Sequence, residues 1–142
     1  MQSPILAPVV ALVIWSLIVL LWAVFTRMPA LKAAGIDMAK ARGGKPGGLD
    51  GVLPDETQWK AHNYNHLMEQ PTLFYAVCLT LAVLGAGAGL NATLAWAYVG
   101  LRVLHSLIQG TSNIIRYRFL VFALATLVLA ALTVHAALIV FR

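Results

Sequence analysis

The chain has 142 residues, of which 61% are hydrophobic and 11% charged, whereas an ordinary soluble domain is about 45–50% apolar and about 25% charged. So little polar surface excludes a water-soluble globule, so much apolar surface excludes disorder, and a bilayer is left as the solvent. The net charge of +5 comes from ten Lys and Arg against five acids, scattered without a basic run or interleaved aromatics, so nucleic acid is not expected as a partner.

Residues 5–25 carry no charge and supply the roughly 20 apolar residues that cross about 30 Å of hydrocarbon, which predicts a first membrane helix. No Lys or Arg precedes the run, and it exceeds the about 7–15 residues of a signal-peptide core, so a retained span is expected. Residues 26–61 form the one long connection, with Arg27, Lys32, Lys40, Arg42, Lys45 and Lys60 beside Asp37, Asp50, Asp55 and Glu56. By the positive-inside rule this loop and the turn near Arg116 and Arg118 face the cytoplasm, while both termini and the Gly-rich turn at 85–90 face away. The glycines around Lys45 and Pro46 read as a flexible turn, because the spacing and the preceding strand of a phosphate-binding loop are missing.

Asp55, Glu56 and Thr57 predict a helix that starts in water near residue 56 and enters the membrane around His66, with Pro71 inside it. The further spans are expected at 66–88, 92–110 and 115–141, giving one all-α domain over 1–142, a four-transmembrane-helix bundle. Asn91 is expected to cap the third span, and Ser112 or Asn113 the fourth. Ala76, Ala82, Gly85 and Gly100 are small positions suited to close helix approach. Trp15, Trp22 and Trp96 read as lipid-facing or packing aromatics, His135 as a hydrogen-bonded packing residue and Cys78, the single cysteine, as an apolar filler.

The polar residues within the spans carry the functional signal, because each ionisable group in a bilayer costs at least about 2.5–3.5 kcal/mol and normally faces a partner or a watery cavity. His62, Asn65, His66 and Glu69 fall at i, i+3, i+4 and i+7, on one face of the second helix. Arg102, His105 and Gln109 fall at i, i+3 and i+7 on the third. Antiparallel packing is expected to bring Glu69 to Arg102 as an ion pair. Asn63, Asn65, His105, Gln109, Arg116 and Arg118 exceed what neutralising one glutamate requires, and this surplus of donors calls for a small anionic ligand near the start of the fourth helix. His62 and His66 have the spacing of a zinc pair, but the ligand set is incomplete and no metal site is assigned.

These residues bear a resemblance. The run Lys60, Ala61, His62, Asn63, Tyr64, Asn65, His66, Leu67, Met68, Glu69, Gln70 and Pro71, with Arg102 and His105 and with Ile115 to Phe119, resembles the MAPEG family of membrane-associated proteins in eicosanoid and glutathione metabolism, in its microsomal glutathione transferase-like and bacterial-type form. The resemblance implies a homotrimer of four-helix subunits in the cell inner membrane, with glutathione as co-substrate bound between subunits and a lipophilic small molecule or membrane lipid as second substrate. It implies a transferase or peroxidase in which Arg118 is catalytic and stabilises the thiolate. Glu69 would take the amino group, Asn65 or Asn63 the peptide backbone, and Arg102 and His105 the carboxylates or the peptide, with Arg27 completing the pocket from a neighbouring subunit. Gln109 stands where family members often carry a tyrosine, and Glu69 lies two residues before Pro71 where the family spaces them further apart. The alternative reading is a non-catalytic scaffold that binds a lipid head group with the same fold.

Overall fold

The computed structural model describes residues 2–142 and is built of helices. In chain order these are α1 (Leu6–Ala33), α2 (Asp55–Leu67), α3 (Pro71–Val83), α4 (Leu90–Gly110) and α5 (Ile115–Val140). α1 and α5 are long and apolar enough to cross a membrane. Each buries a single stripe, Leu12, Ser16, Val19 and Ala23 on α1 and Val121, Ala125, Leu129 and Leu132 on α5, at the 3.6-residue period of a helix. Their other faces leave Leu17, Leu21, Phe25, Phe119 and Leu127 exposed, a continuous apolar surface that hydrocarbon solvates better than water.

α1 continues eight residues past the expected end of the first span, because apolarity marks where a helix leaves lipid and not where it stops. Its stop is chemical. Gly35 takes φ +74°, its N–H donates to the Lys32 carbonyl and the N–H of Ile36 to that of Leu31, the paired bonds that close a helix on a left-handed glycine. The same closure ends α3, where Gly85 has φ +71° and the N–H groups of Gly85 and Ala86 donate to Ala82 and Leu81. At 28 residues α1 is about 42 Å long, more than a bilayer core, so its last turns project beyond it.

The second expected span is two helices. α2 stops at Leu67 and α3 starts at Pro71, because a proline lacks the N–H that would continue the ladder and fits the first position of a new helix. Between them the chain tightens into three-residue turns, Met68 donating to Asn65 and Glu69 to His66. α3 alone, at 13 residues, is about 20 Å long.

The core lies between α1, α3, α4 and α5, with Leu12, Phe74, Leu81, Tyr98 and Leu132 fully buried and the Phe74 and Tyr98 rings stacked at 4.4 Å. Of the small positions expected at close approaches, Ala82 packs against the core, while Gly85 and Gly100 do not mark tight contacts. Gly100 faces open space, whereas a side chain on Gly110 would meet the Trp22 ring at 2.6 Å and one on Gly87 would collide with Ser3 and Ile5. The caps also differ: α4 and α5 carry no side-chain cap. Asn91 spends its amide on the Ala86 carbonyl (2.9 Å) and its Oδ1 on the His135 Nδ1–H (2.6 Å), which holds His135 as a packing residue, and Asn113 at φ 50° turns to Arg118. Cys78 is buried and free.

Candidate functional site

α4 brings its polar residues to one buried face. Tyr98, Arg102, His105, Ser106 and Gln109 are each at most 4% exposed, which follows from spacings of i, i+4, i+7, i+8 and i+11 on a 3.6-residue helix. Opposite them stands the end of α2. Arg102 Nη2 donates to Nδ1 of His66 at 2.8 Å and to its carbonyl at 3.3 Å, so that imidazole presents an unprotonated Nδ1 to the guanidinium. The His66 ring stacks on His105 at 4.6 Å and nearly parallel. Phe122 of α5 closes the third side, edge-on to His66 at 5.6 Å and under the Arg102 guanidinium at 6.0 Å, a contact in which the ring quadrupole favours the cation.

The α2–α3 break is tied into this cluster by Gln70. Its Oε1 accepts from the Tyr98 hydroxyl (3.1 Å) and its Nε2 donates to Thr126 of α5 (2.9 Å). Asn63 Nδ2 donates to the Ser106 carbonyl at 2.9 Å, fixing α2 against α4. Arg118 lies one helical turn before Phe122 on α5 and so on the same side as the His66–His105 stack. Its Nη1 donates to Asn113 Oδ1.

The expected Glu69–Arg102 ion pair does not form in this chain. Glu69 falls in the break between α2 and α3, where it is exposed, and among the described residues the salt bridges are Lys40–Asp37 and His62–Asp50. The expected stripe on α2 also divides. His66 faces α4, while His62 and Asn65 line a groove toward the 36–49 connection together with Arg27, and Arg116 is exposed. Thus Arg102, His105, Gln109 and Asn63 are gathered with Arg118 nearby, and Arg27, Asn65, Glu69 and Arg116 stand apart from them within one chain.

His66, read from the sequence as part of the α2 stripe, stands at the centre of the cluster, and Gln70, Tyr98, Ser106, Phe122 and Thr126 complete it beyond the residues singled out from the sequence. Tyr98 and Phe122 carried a readable signal, being one turn from Arg102 and from Arg118. Gln70 and Thr126 carried none, since their meeting depends on how the helices are rotated. Several buried atoms of the cluster have no partner, among them Nε and Nη1 of Arg102, Nδ1 of His105, Oδ1 of Asn63, Oε1 of Gln109 and Nε of Arg118. Buried polar atoms are normally paired, and here donors of Arg102 and Arg118 and acceptors of Asn63 and Gln109 are left without partners. Among the described residues no three His, Cys, Asp or Glu side chains gather as a metal site.

The family model described as MAPEG family matches residues 5–138. No curated protein and no solved structure matches the chain.

Proposed function

The chain belongs to the MAPEG family, a membrane family that includes glutathione transferases and peroxidases as well as non-catalytic members, and from this premise we propose that it is a glutathione-dependent membrane enzyme. The carrying observation is Arg102, fully buried with two of its three guanidinium nitrogens unpartnered and no carboxylate in contact. A buried cation without a counter-ion is among the most costly features a membrane helix can hold, and a carboxylate-bearing ligand offsets that cost.

In this reading the glutathione carboxylates meet Arg102 and His105, with Gln109 and Asn63 as further hydrogen-bonding groups. The exposed Glu69 takes the ammonium and Asn65 the peptide. Arg118 faces the sulfur. A guanidinium beside a thiol, next to the uncapped N-terminus of α5, favours the thiolate and so makes the nucleophile available near neutral pH. The thiolate electron pair then forms the C–S bond at an electrophilic carbon as the bond to the leaving group breaks. With a lipid hydroperoxide it attacks the terminal oxygen instead, and a second glutathione closes the cycle as glutathione disulfide, alcohol and water. Lipophilic electrophiles dissolve in the bilayer while glutathione arrives from water, and a site at the membrane face serves both.

The same reading takes α2 with α3 and then α4 as the two inner crossings. The basic loop lies in the cytoplasm, both termini lie on the far side, and three copies assemble so that a neighbour covers Glu69 and Arg118. The experiment is the ultraviolet thiolate absorbance on adding glutathione to the detergent-purified chain at neutral pH. Absorbance in the parent and not in Arg118→Ala supports the enzyme. No absorbance, with no heat of glutathione binding, overturns it in favour of a scaffold.

A further inference from the structure

The Arg102 cluster fixes the tautomer of a side chain that the glutathione contacts leave unused. A guanidinium only donates, so the 2.8 Å contact from Arg102 Nη2 requires the lone pair of His66 Nδ1. The ring proton is then on Nε2, because in a neutral imidazole the bond made by one nitrogen sets the state of the other. The ring is held in place by His105, stacked on it at 4.6 Å, and by Phe122, edge-on at 5.6 Å.

Among the described residues Nε2 of His66 has no hydrogen-bond partner, and unlike Nδ1 of His105 it is not an enclosed atom. No carboxylate competes for it. The contact between a histidine and an acid is His62 to Asp50, and Glu69, one turn beyond His66, is exposed. Arg118, one turn before Phe122, lies on the same side of the cluster. An open N–H of fixed tautomer there is suited to a negative charge that develops during reaction.

The two electrophile classes differ in their need for such a donor. A carbon electrophile that loses halide releases a weakly basic anion. A hydroperoxide releases an alkoxide, a strong base that leaves readily only when a hydrogen bond or a proton meets it.

We propose, resting on the glutathione reading, that the Nε2–H of His66 is the donor to the departing oxygen and that lipid hydroperoxides are the substrate class of this site. The thiolate sulfur attacks the terminal peroxide oxygen. The S–O bond forms as the O–O bond breaks, and the electron pair of the broken bond goes to the alkoxide oxygen. His66 stabilises that oxygen by its hydrogen bond and stays neutral, while the proton lost when glutathione ionised reaches the alkoxide through water. The alcohol and glutathione sulfenic acid result, and a second glutathione thiol converts the latter to disulfide and water.

The test compares reduction of linoleate hydroperoxide with conjugation of chlorodinitrobenzene by the detergent-purified full chain at saturating glutathione. In His66→Asn the amide oxygen takes the place of Nδ1, which keeps an acceptor for Arg102 and loses the outer donor. In His66→Gln the amide nitrogen reaches the place of Nε2. The ratio of peroxidase to conjugation rate is expected to fall about 100-fold in His66→Asn, the effect of removing one oxyanion donor, and to stand about tenfold or more higher in His66→Gln than in His66→Asn. Both rates come from one preparation, so partial loss of folded protein cancels in the ratio. A side chain that merely holds Arg102 gives the reverse order of the two variants, and that order overturns the proposal. So does a parent that conjugates without reducing the hydroperoxide, or an equal ratio in the parent and His66→Asn. A parent with neither activity and no thiolate absorbance overturns the glutathione reading itself.

Discussion

Nη2 of Arg102 stands 2.8 Å from Nδ1 of His66, so the most deeply buried cation of the chain is held by an imidazole of the neighbouring helix and not by the glutamate three residues further on. His66→Ala removes the side-chain acceptor of a buried charged donor and is expected to cost about 1.5–3 kcal/mol, read as a lower melting temperature in detergent. Glu69→Gln, at an exposed position, is expected to stay within about 0.5 kcal/mol in the absence of glutathione. Equal losses for the two variants would restore Glu69 as the counter-ion.

Two glycines of α4 are expected to respond with opposite signs. Gly110→Ala places a methyl 2.6 Å from the Trp22 ring, an overpacking that typically costs about 1–3 kcal/mol. Gly100→Ala enters open space within the helix and should gain up to about 1 kcal/mol. Thermal denaturation of the two variants side by side checks the pair, and a neutral Gly110→Ala would contradict the close crossing of α1 and α4.

Gln70 joins Tyr98 to Thr126 across three helical elements, so its two bonds should couple. A double-mutant cycle with Gln70→Leu and Thr126→Val is expected to return an interaction energy of about 0.5–1.5 kcal/mol. A coupling indistinguishable from zero would mean that the Gln70–Thr126 bond does not hold the break at 68–70 against α5.

Asn113 is a positioning residue for Arg118 in the glutathione reading. Its φ of 50° suits Asn, Asp or Gly, and its Oδ1 accepts from the guanidinium at 2.6 Å. Asn113→Gly keeps the turn and removes the acceptor, and it is expected to lower the thiolate signal about tenfold at unchanged helicity. Asn113→Asp keeps both and should restore it. Equal signals in the Gly and Asp variants would separate Arg118's orientation from Asn113.

Much of the architecture was legible in local patterns. The uncharged run at 5–25 and the nearly uncharged run at 115–141 determined two helices long enough to cross a bilayer, because hydrocarbon solvates them whatever they pack against. The spacing of Arg102, His105 and Gln109 determined that these residues share a face, since that follows from 3.6 residues per turn. The Gly-rich turn at 85–90 was legible and Gly85 closes α3 there, whereas Pro71 was expected inside a helix and instead starts one, and the stop at Gly35 was not read. The caps misled, since Asn91 and Asn113 have the right residue types but were drawn away, Asn91 by His135 from elsewhere in the fold and Asn113 by Arg118 five residues on.

What the tertiary structure alone decided is which polar groups meet. The periodicity of α2 fixes which of its residues are neighbours along one helix but not how that helix is rotated against α4, and the three-residue break before Pro71 turns Glu69 out and leaves His66 facing Arg102. The groove at the end of α1 likewise depends on a connection without regular period folding back onto two helices. Local sequence determined the solvent, the helices and the buried face, because those follow from side-chain polarity and backbone geometry. The partner of each buried charge was decided by packing between segments distant in the chain.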